Sequence, residues 1–173
     1  MAVKFLYYFI FAFVAIMVFL LYQKPFDIEL NKTNKNEPNI EIIDVTNYSI
    51  TQDGVTHIVK ATKALRFLKY DEFYNIDAIR KSKDYFLENL KAKSGRLIAD
   101  NLYLKGDVNY ANSDDVKFKS QKLDYNLKTK IVKTDVDFTL ENNRTLTYGS
   151  SLLYNTVDGK IYANNIKSTI EEE

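Results

Sequence analysis

The sequence predicts an all-β domain, an open β-sandwich, jelly roll or barrel-like stack of antiparallel strands, preceded by one N-terminal transmembrane helix. Three observations point there. Apolar and polar residues alternate with period two along most of the chain beyond residue 39. A strand-turn-strand unit recurs: Leu123-x-Tyr125-Asn126 is echoed by Leu152-x-Tyr154-Asn155, 29 positions on, and Lys130-Ile131 by Lys160-Ile161, 30 positions on. Thirteen tyrosines and eleven phenylalanines against five glycines and two prolines suit a folded chain rich in strand formers.

The first element is not a strand. Phe5 to Tyr22 is uncharged, "FLYYFIFAFVAIMVFLLY", and as a helix it would span about 27 Å, close to the hydrocarbon thickness of a bilayer. The residues after it, "LLYQKPFDIEL", are bulky and then charged, without the small residues of a cleavage site, so an uncleaved anchor over 1–24 is expected. Lys4 and the terminal amine oppose Lys24, Lys32 and Lys35, and the count of basic residues leaves the orientation open. Pro25 ends the helix, and the polar run to Pro38 reads as a linker over 25–38. The folded domain is expected over 39–173.

"NIEIIDVTNYSI" is β-branched and partly alternating, and "GVTHIVKAT" sets Val55, His57, Val59 and Ala61 against Thr56, Ile58 and Lys60. From Thr62 to Lys93 a helical spacing on Ala64 and Leu68 competes with strands, and strands are preferred. "LIADNLYLKGDVNYANSDD" carries Leu102, Leu104, Val108 and Tyr110, and "GRLIADNLYLKGDVNY" is a looser third copy of the repeat. "DVKFKSQKLDYNL" places Val116 and Phe118, then Leu123, Tyr125 and Leu127, with "KTK" as the turn. The last segment adds Leu146, Tyr148, Leu152, Tyr154, Ile161 and Ala163, with "VDGK" as a hairpin turn.

The inventory of chemistry is sparse. With no cysteine there is neither a disulfide framework nor a thiolate metal site. His57 is the single histidine, it lies mid-strand, and no G-x-S-x-G accompanies it. Asp114-Asp115 lies in a run of turn-forming residues, and the preceding Asp107, Asn109 and Ala111 break the calcium-loop spacing. Neither a P-loop nor a dinucleotide fingerprint occurs. The 24 basic and 23 acidic residues nearly cancel, so no broad positive field would draw nucleic acid. A non-enzymatic protein without a cofactor is the expectation.

One anchor, a short linker, then "DGVTHIVKATKALRF", "KAKSGRLIADNLYLKGDVNY", "VKFKSQKLDYNLKTKIVKTDVDFTL" and "YGSSLLYN" in that order resemble the LptC family of Gram-negative lipopolysaccharide-transport proteins. The Leu-x-Leu-x-Gly-x-Val block at Leu102 to Val108 is the most specific piece. It is followed by Lys-Ser-x-x-Leu-x-Tyr at 119 to 125, Lys-Thr-Asp at 133 to 135 and the Tyr-Gly before Leu152. The resemblance implies a single-pass anchor in the inner membrane with Lys4 cytoplasmic and a twisted β-jellyroll in the periplasm. It implies passage of lipopolysaccharide from an inner-membrane ABC transporter complex, through its permease subunits, to a soluble periplasmic bridge protein of the same β fold.

A carrier of this kind needs an apolar cleft. The alternating positions assigned to its lining are Ile40, Ile42, Val55, Val59, Leu102, Leu104, Val108, Val116, Phe118, Leu123, Tyr125, Val136, Phe138, Leu146, Tyr148, Leu152 and Tyr154. Core and lining share one sequence pattern, so each position equally fits an ordinary core. Partners would add strands at the two sheet edges, Ile40 to Ile50 toward the transporter and Lys160 to Ile170 toward the bridge. The rival reading is a bitopic scaffold with a closed β domain and no lipid cargo.

Overall fold

A computed structural model describes residues 37–52, 54–81 and 87–170, and all of their regular structure is strand. The anchor expected over 1–24, and the linker apart from its last two residues, lie outside the described residues. Twelve antiparallel strands form one open sheet. The first six are long: β1 (Ile40–Thr51), β2 (Gly54–Arg66), β3 (Asp71–Lys81), β4 (Leu87–Ile98), β5 (Asn101–Asn112) and β6 (Val116–Asn126). The segment from 65 to 93, where helix and strand competed, is therefore strand wherever it is described, apart from the turn at 67–70.

The remaining six are short and come in pairs. These are β7 (Ile131–Thr134) with β8 (Phe138–Asn142), β9 (Thr145–Gly149) with β10 (Ser151–Asn155), and β11 (Ile161–Asn164) with β12 (Lys167–Ile170). β7 pairs with β6 near Asp124 to Asn126 while β8 pairs with β6 from Val116 to Ser120, so together they make one return strand with a break at Asp135 to Asp137. β10 and β9 repeat this against β7 and β8, and β11 and β12 against β10 and β9. In effect nine long strands run as a meander from one edge to the other. Short connections between sequential antiparallel neighbours explain why the sequence shows turn signals at such regular spacing.

The breaks line up. Residues paired across neighbouring strands share a face, and the core-facing residues are Ile42 then Val45, Ala61 then Ala64, Phe73 then Ile76, Ala92 then Gly95, and Ser120 then Leu123. Each step is three residues where strict alternation gives two or four. These strands thus slip their phase at mid-length and keep their apolar side turned the same way on both sides of the slip, whereas β5 from Leu104 to Val108 and the β7–β8 strand from Thr134 to Phe138 step four residues. Asp44, Asn75, Asp107 and Asn165 sit on this row with φ of 54°, 50°, 47° and 51°. Asp and Asn tolerate the left-handed region because their short polar side chains bond locally. In β5 an extra residue is inserted at Gly106 (φ 76°), where a Cβ would lie 2.9 Å from the Lys93 Cβ. The row creases the sheet, and one apolar cluster straddles the crease: Ile76, Ala92, Leu104, Val108, Phe118, Leu123, Phe138 and Leu152.

The sequence repeat is one hairpin built twice. Asn126 Oδ1 accepts the Lys128 and Thr129 N–H groups at 3.0 and 2.7 Å, and Asn155 Oδ1 accepts the Val157 N–H at 3.0 Å. Both asparagines close Asx turns at the same end of the sheet, and Thr156 ties the turns together by donating its N–H and Oγ1–H to the Lys130 carbonyl at 3.1 and 3.0 Å. The turns lie where "KTK" and "VDGK" were read.

Candidate functional site

The concave, apolar face of the creased sheet is the candidate site. Leu104, Val108, Phe118, Leu123, Phe138 and Leu152 are buried there. Phe118 and Phe138 stack with centroids 5.7 Å apart. Ser120 and Thr134, the two buried polar residues, satisfy each other at 3.3 Å, and Ser120 also donates to the Asp137 carbonyl at 3.0 Å. Around this centre Val59, Leu102, Val116, Tyr125 and Tyr154 share the same face and are half-buried. Toward the first edge Ile40, Ile42 and Val55 are exposed.

Two expected positions lie elsewhere. Thr139 pairs with Tyr148 and Glu141 with Leu146, whereas Phe138 and Leu140 pair with Gly149 and Thr147. Leu146 and Tyr148 therefore point out of the opposite face, because the phase slips at Ser150, between them and Leu152. Val136 sits in the break between β7 and β8, half-buried. Ile76, Ala78, Leu90, Tyr110, Val132, Leu140 and Ala163 belong to the apolar cluster or pack on it and were missing from the expected lining. The three-residue step carries the inward phase across the crease to Ile76, whereas Tyr110 and Leu140 follow Val108 and Phe138 by plain alternation.

Both edges are open among the described residues. β1 pairs only with β2, and β11 and β12 pair only with β10 and β9. The apolar face reaches them: Ile40 and Ile42 are about half exposed in β1, and Ile161, Ile166 and Ile170 are 49–67% exposed along the last edge. Lys160, the expected start of that edge, lies just ahead of β11, and Ile50 is opposite Val55 at the turn end of β1.

The face ends in charged groups. Arg80 of β3 forks onto Glu88 of β4 with contacts of 2.5 Å, and Arg66 forks onto Asp71 at 2.9 and 3.0 Å at the other end of β2 and β3. Burial, reinforced by the Glu88 charge, pushes the Tyr110 phenol up to about 12. A folded value above the ordinary 10 means that the native state holds a proton the unfolded chain has lost. Stability from Tyr110 is thus present below pH ~10 and declines as pH rises toward about 12. Tyr110→Phe should flatten that decline in alkaline unfolding curves and remove one late phenol from an ultraviolet titration. An unchanged titration would show that Tyr110 ionises with the other tyrosines.

A groove of about 560 Å³ follows the crease, lined by Asp107, Asn109, Lys119, Gln121 and Tyr148 together with the core-facing Val108, Ser120, Phe138 and Gly149. Its polar groups largely serve one another. Gln121 Nε2 donates to Asp107 Oδ1 at 3.0 Å and Lys93 lies 2.6 Å from Asp107, which holds that carboxyl below its ordinary range. The groove braces the bulge. Among the described residues no cluster of three or more His, Asp or Glu side chains could hold a metal ion.

Comparison with known proteins bears on the family. Among solved structures the chain is similar to LptH, described as the LptA-homologous periplasmic component of the conserved lipopolysaccharide transport device from Pseudomonas aeruginosa, at 11% identity and a TM-score of 0.40 over 81% of this chain and 99% of that one. No curated protein matches the sequence. The family model described as "Lipopolysaccharide-assembly, LptC-related" matches residues 7–169, and the chain therefore belongs to the LptC family.

Proposed function

We propose that this protein is a non-enzymatic carrier and tether for lipopolysaccharide. It is held in the inner membrane by the N-terminal helix, with the β domain in the periplasm. In this reading an inner-membrane ABC transporter, through its permease subunits, delivers lipopolysaccharide to the β1 edge. The acyl chains shelter on the concave face while the saccharide stays in water, and a soluble bridge protein of the same fold takes the cargo by adding a strand at the β11–β12 edge. Each methylene removed from water is worth about 0.8 kcal/mol, so a carrier has only to match the shelter its cargo leaves.

The observation that carries the reading is the continuity of the apolar face from its compact centre to two unpaired edges. A closed scaffold domain would end its apolar surface inside, whereas here Ile40, Ile42, Ile161, Ile166 and Ile170 prolong it outward. Native mass spectrometry of the protein extracted from its own membranes should detect bound lipopolysaccharide, and a preparation free of lipid would favour the scaffold. A photo-crosslinker at half-buried Tyr125 or Tyr154 should label lipid, and one at Tyr148 on the opposite face should not.

A further inference from the structure

We propose that the groove along the crease binds a linear oligosaccharide. Two stretches of it meet at Asp107 and Asn109: the 560 Å³ stretch over β5, β6, β8 and β9, and one of about 280 Å³ over β3 and β4 that reaches Asn75. Together they cross the strands and suit an extended ligand, and the larger stretch alone lies within the ~300–1,000 Å³ of small-ligand sites. The residues that reset the strand phase also furnish its polar lining. Asn75, Asp107 and Asn165 take left-handed backbone at the crease, and all three line the groove. Lys119, Thr139 and Tyr148 pair in register across β6, β8 and β9, which spaces them by about 4.8 Å a step, and Asn109 extends the row into β5.

One part of the lining is internally satisfied and the rest is not. Gln121 and Lys93 hold Asp107, and Asn165 donates to the Ser150 hydroxyl at 2.7 Å. By contrast, no hydrogen bond or ion pair among the described residues engages the side chains of Lys119, Asp137, Thr139 or Tyr148, which line the same groove. Elsewhere on the sheet Glu41, Glu72, Asp77, Asp107, Asp135 and Glu141 each hold a lysine or arginine at 2.6–3.5 Å. A free carboxylate and a free ammonium in one groove depart from that pattern. A ligand that answers both must donate and accept. Sugar hydroxyls do both, giving an O–H to Asp137 and accepting from Lys119 Nζ, whereas a phosphate would meet two carboxylates and an organic cation would meet Lys119. Tyr148, 47% exposed, offers a ring to the C–H face of a pyranose. A peptide has less to gain, because β5, β6, β8 and β9 are each paired on both sides and present no free strand edge. The row from Asn109 to Tyr148 faces away from the apolar cluster, so the glycan need not belong to a lipid: cell-wall glycan and the saccharide of an amphiphile share the chemistry.

The test is saturation-transfer NMR on the full-length protein in a detergent without a sugar head. It is titrated with chitotetraose, which stands for cell-wall glycan, and with a delipidated lipopolysaccharide core oligosaccharide. At least one should bind saturably below about 10 mM. Asp137→Asn should weaken that binding about tenfold, the worth of one hydrogen bond to a charged group, and Tyr148→Ala about three- to tenfold, the worth of ring stacking. Neither side chain has a partner within the described fold, so both variants should melt with the wild type. Leu153→Ala, exposed on the same side of the sheet but outside the groove, should change nothing. Tighter binding of chitotetraose assigns the groove to the cell wall, tighter binding of the core oligosaccharide assigns it to the saccharide of the cargo, and either supports the site. Saturation by neither sugar overturns the proposal, as does binding that Asp137→Asn and Tyr148→Ala both leave unchanged. A neutral tetrapeptide that displaces the sugar at equal concentration would mark a peptide groove and overturn it as well.

Discussion

Truncating Phe138 to alanine is expected to lower the unfolding free energy of the β domain by about 3–5 kcal/mol, near the upper end of that range. The ring is 4% exposed, so its full transfer energy is lost, and it stacks on Phe118 with an interplanar angle of 22°, which adds the geometric part of an aromatic pair. The cavity cannot readily collapse. On one side lies Gly149, which has no side chain to move in; on another lie Ser120 and Thr134, whose mutual hydrogen bond holds them in place. Against a typical domain stability of about 5–15 kcal/mol, such a loss would leave a marginal protein. Urea unfolding of the full-length protein should show a lower midpoint with little change in slope; a shift under 1 kcal/mol, on the order of a surface substitution, would show that the ring is not the centre of the core.

Gly149→Val is the reciprocal experiment and is expected to cost about 3 kcal/mol by overpacking. A Cβ at Gly149 would lie 2.5 Å from both Cε1 and Cζ of Phe138 and 2.8 Å from Ile166 Cδ1. The ring is pinned by Phe118, so Ile166 and the last strand give way first. Loss should therefore begin at the β11–β12 edge, visible as faster exchange of the β12 amides that bond to β9 than in the wild type. Combining Phe138→Ala with Gly149→Val lets the new side chain enter the space the ring leaves, and the double variant should be less destabilised than the sum by about 1–2 kcal/mol. Strict additivity would refute the contact.

The strands themselves were legible in the sequence. Alternation in "GVTHIVKAT" and "DVKFKSQKLDYNL" and the twice-used Asn126 and Asn155 turns are local patterns, and each appears where it was read. The stretch from 62 to 93 invited a helical reading through Ala64 and Leu68, four residues apart, but Ala64 is a core-facing residue near the end of β2 and Leu68 lies 73% exposed in the turn before β3. Leu146 and Tyr148 went astray for a different reason. Tyr148 and Leu152 are four apart and look in phase, but the slip at Ser150 puts them on opposite faces.

The sequence by itself determined the class of fold, the position of most turns and the absence of catalytic motifs, because period two and turn chemistry are properties of neighbouring residues. Only the tertiary structure decided which face each half-strand presents, which apolar residues fill the centre and which continue to the open edges. Facing depends on the parity of a residue along its strand, and parity is reset at the crease by backbone pairing between strands far apart in the chain. Whether Phe118 is core and Ile40 rim follows from the number of strands that flank each one, a quantity that no local pattern encodes.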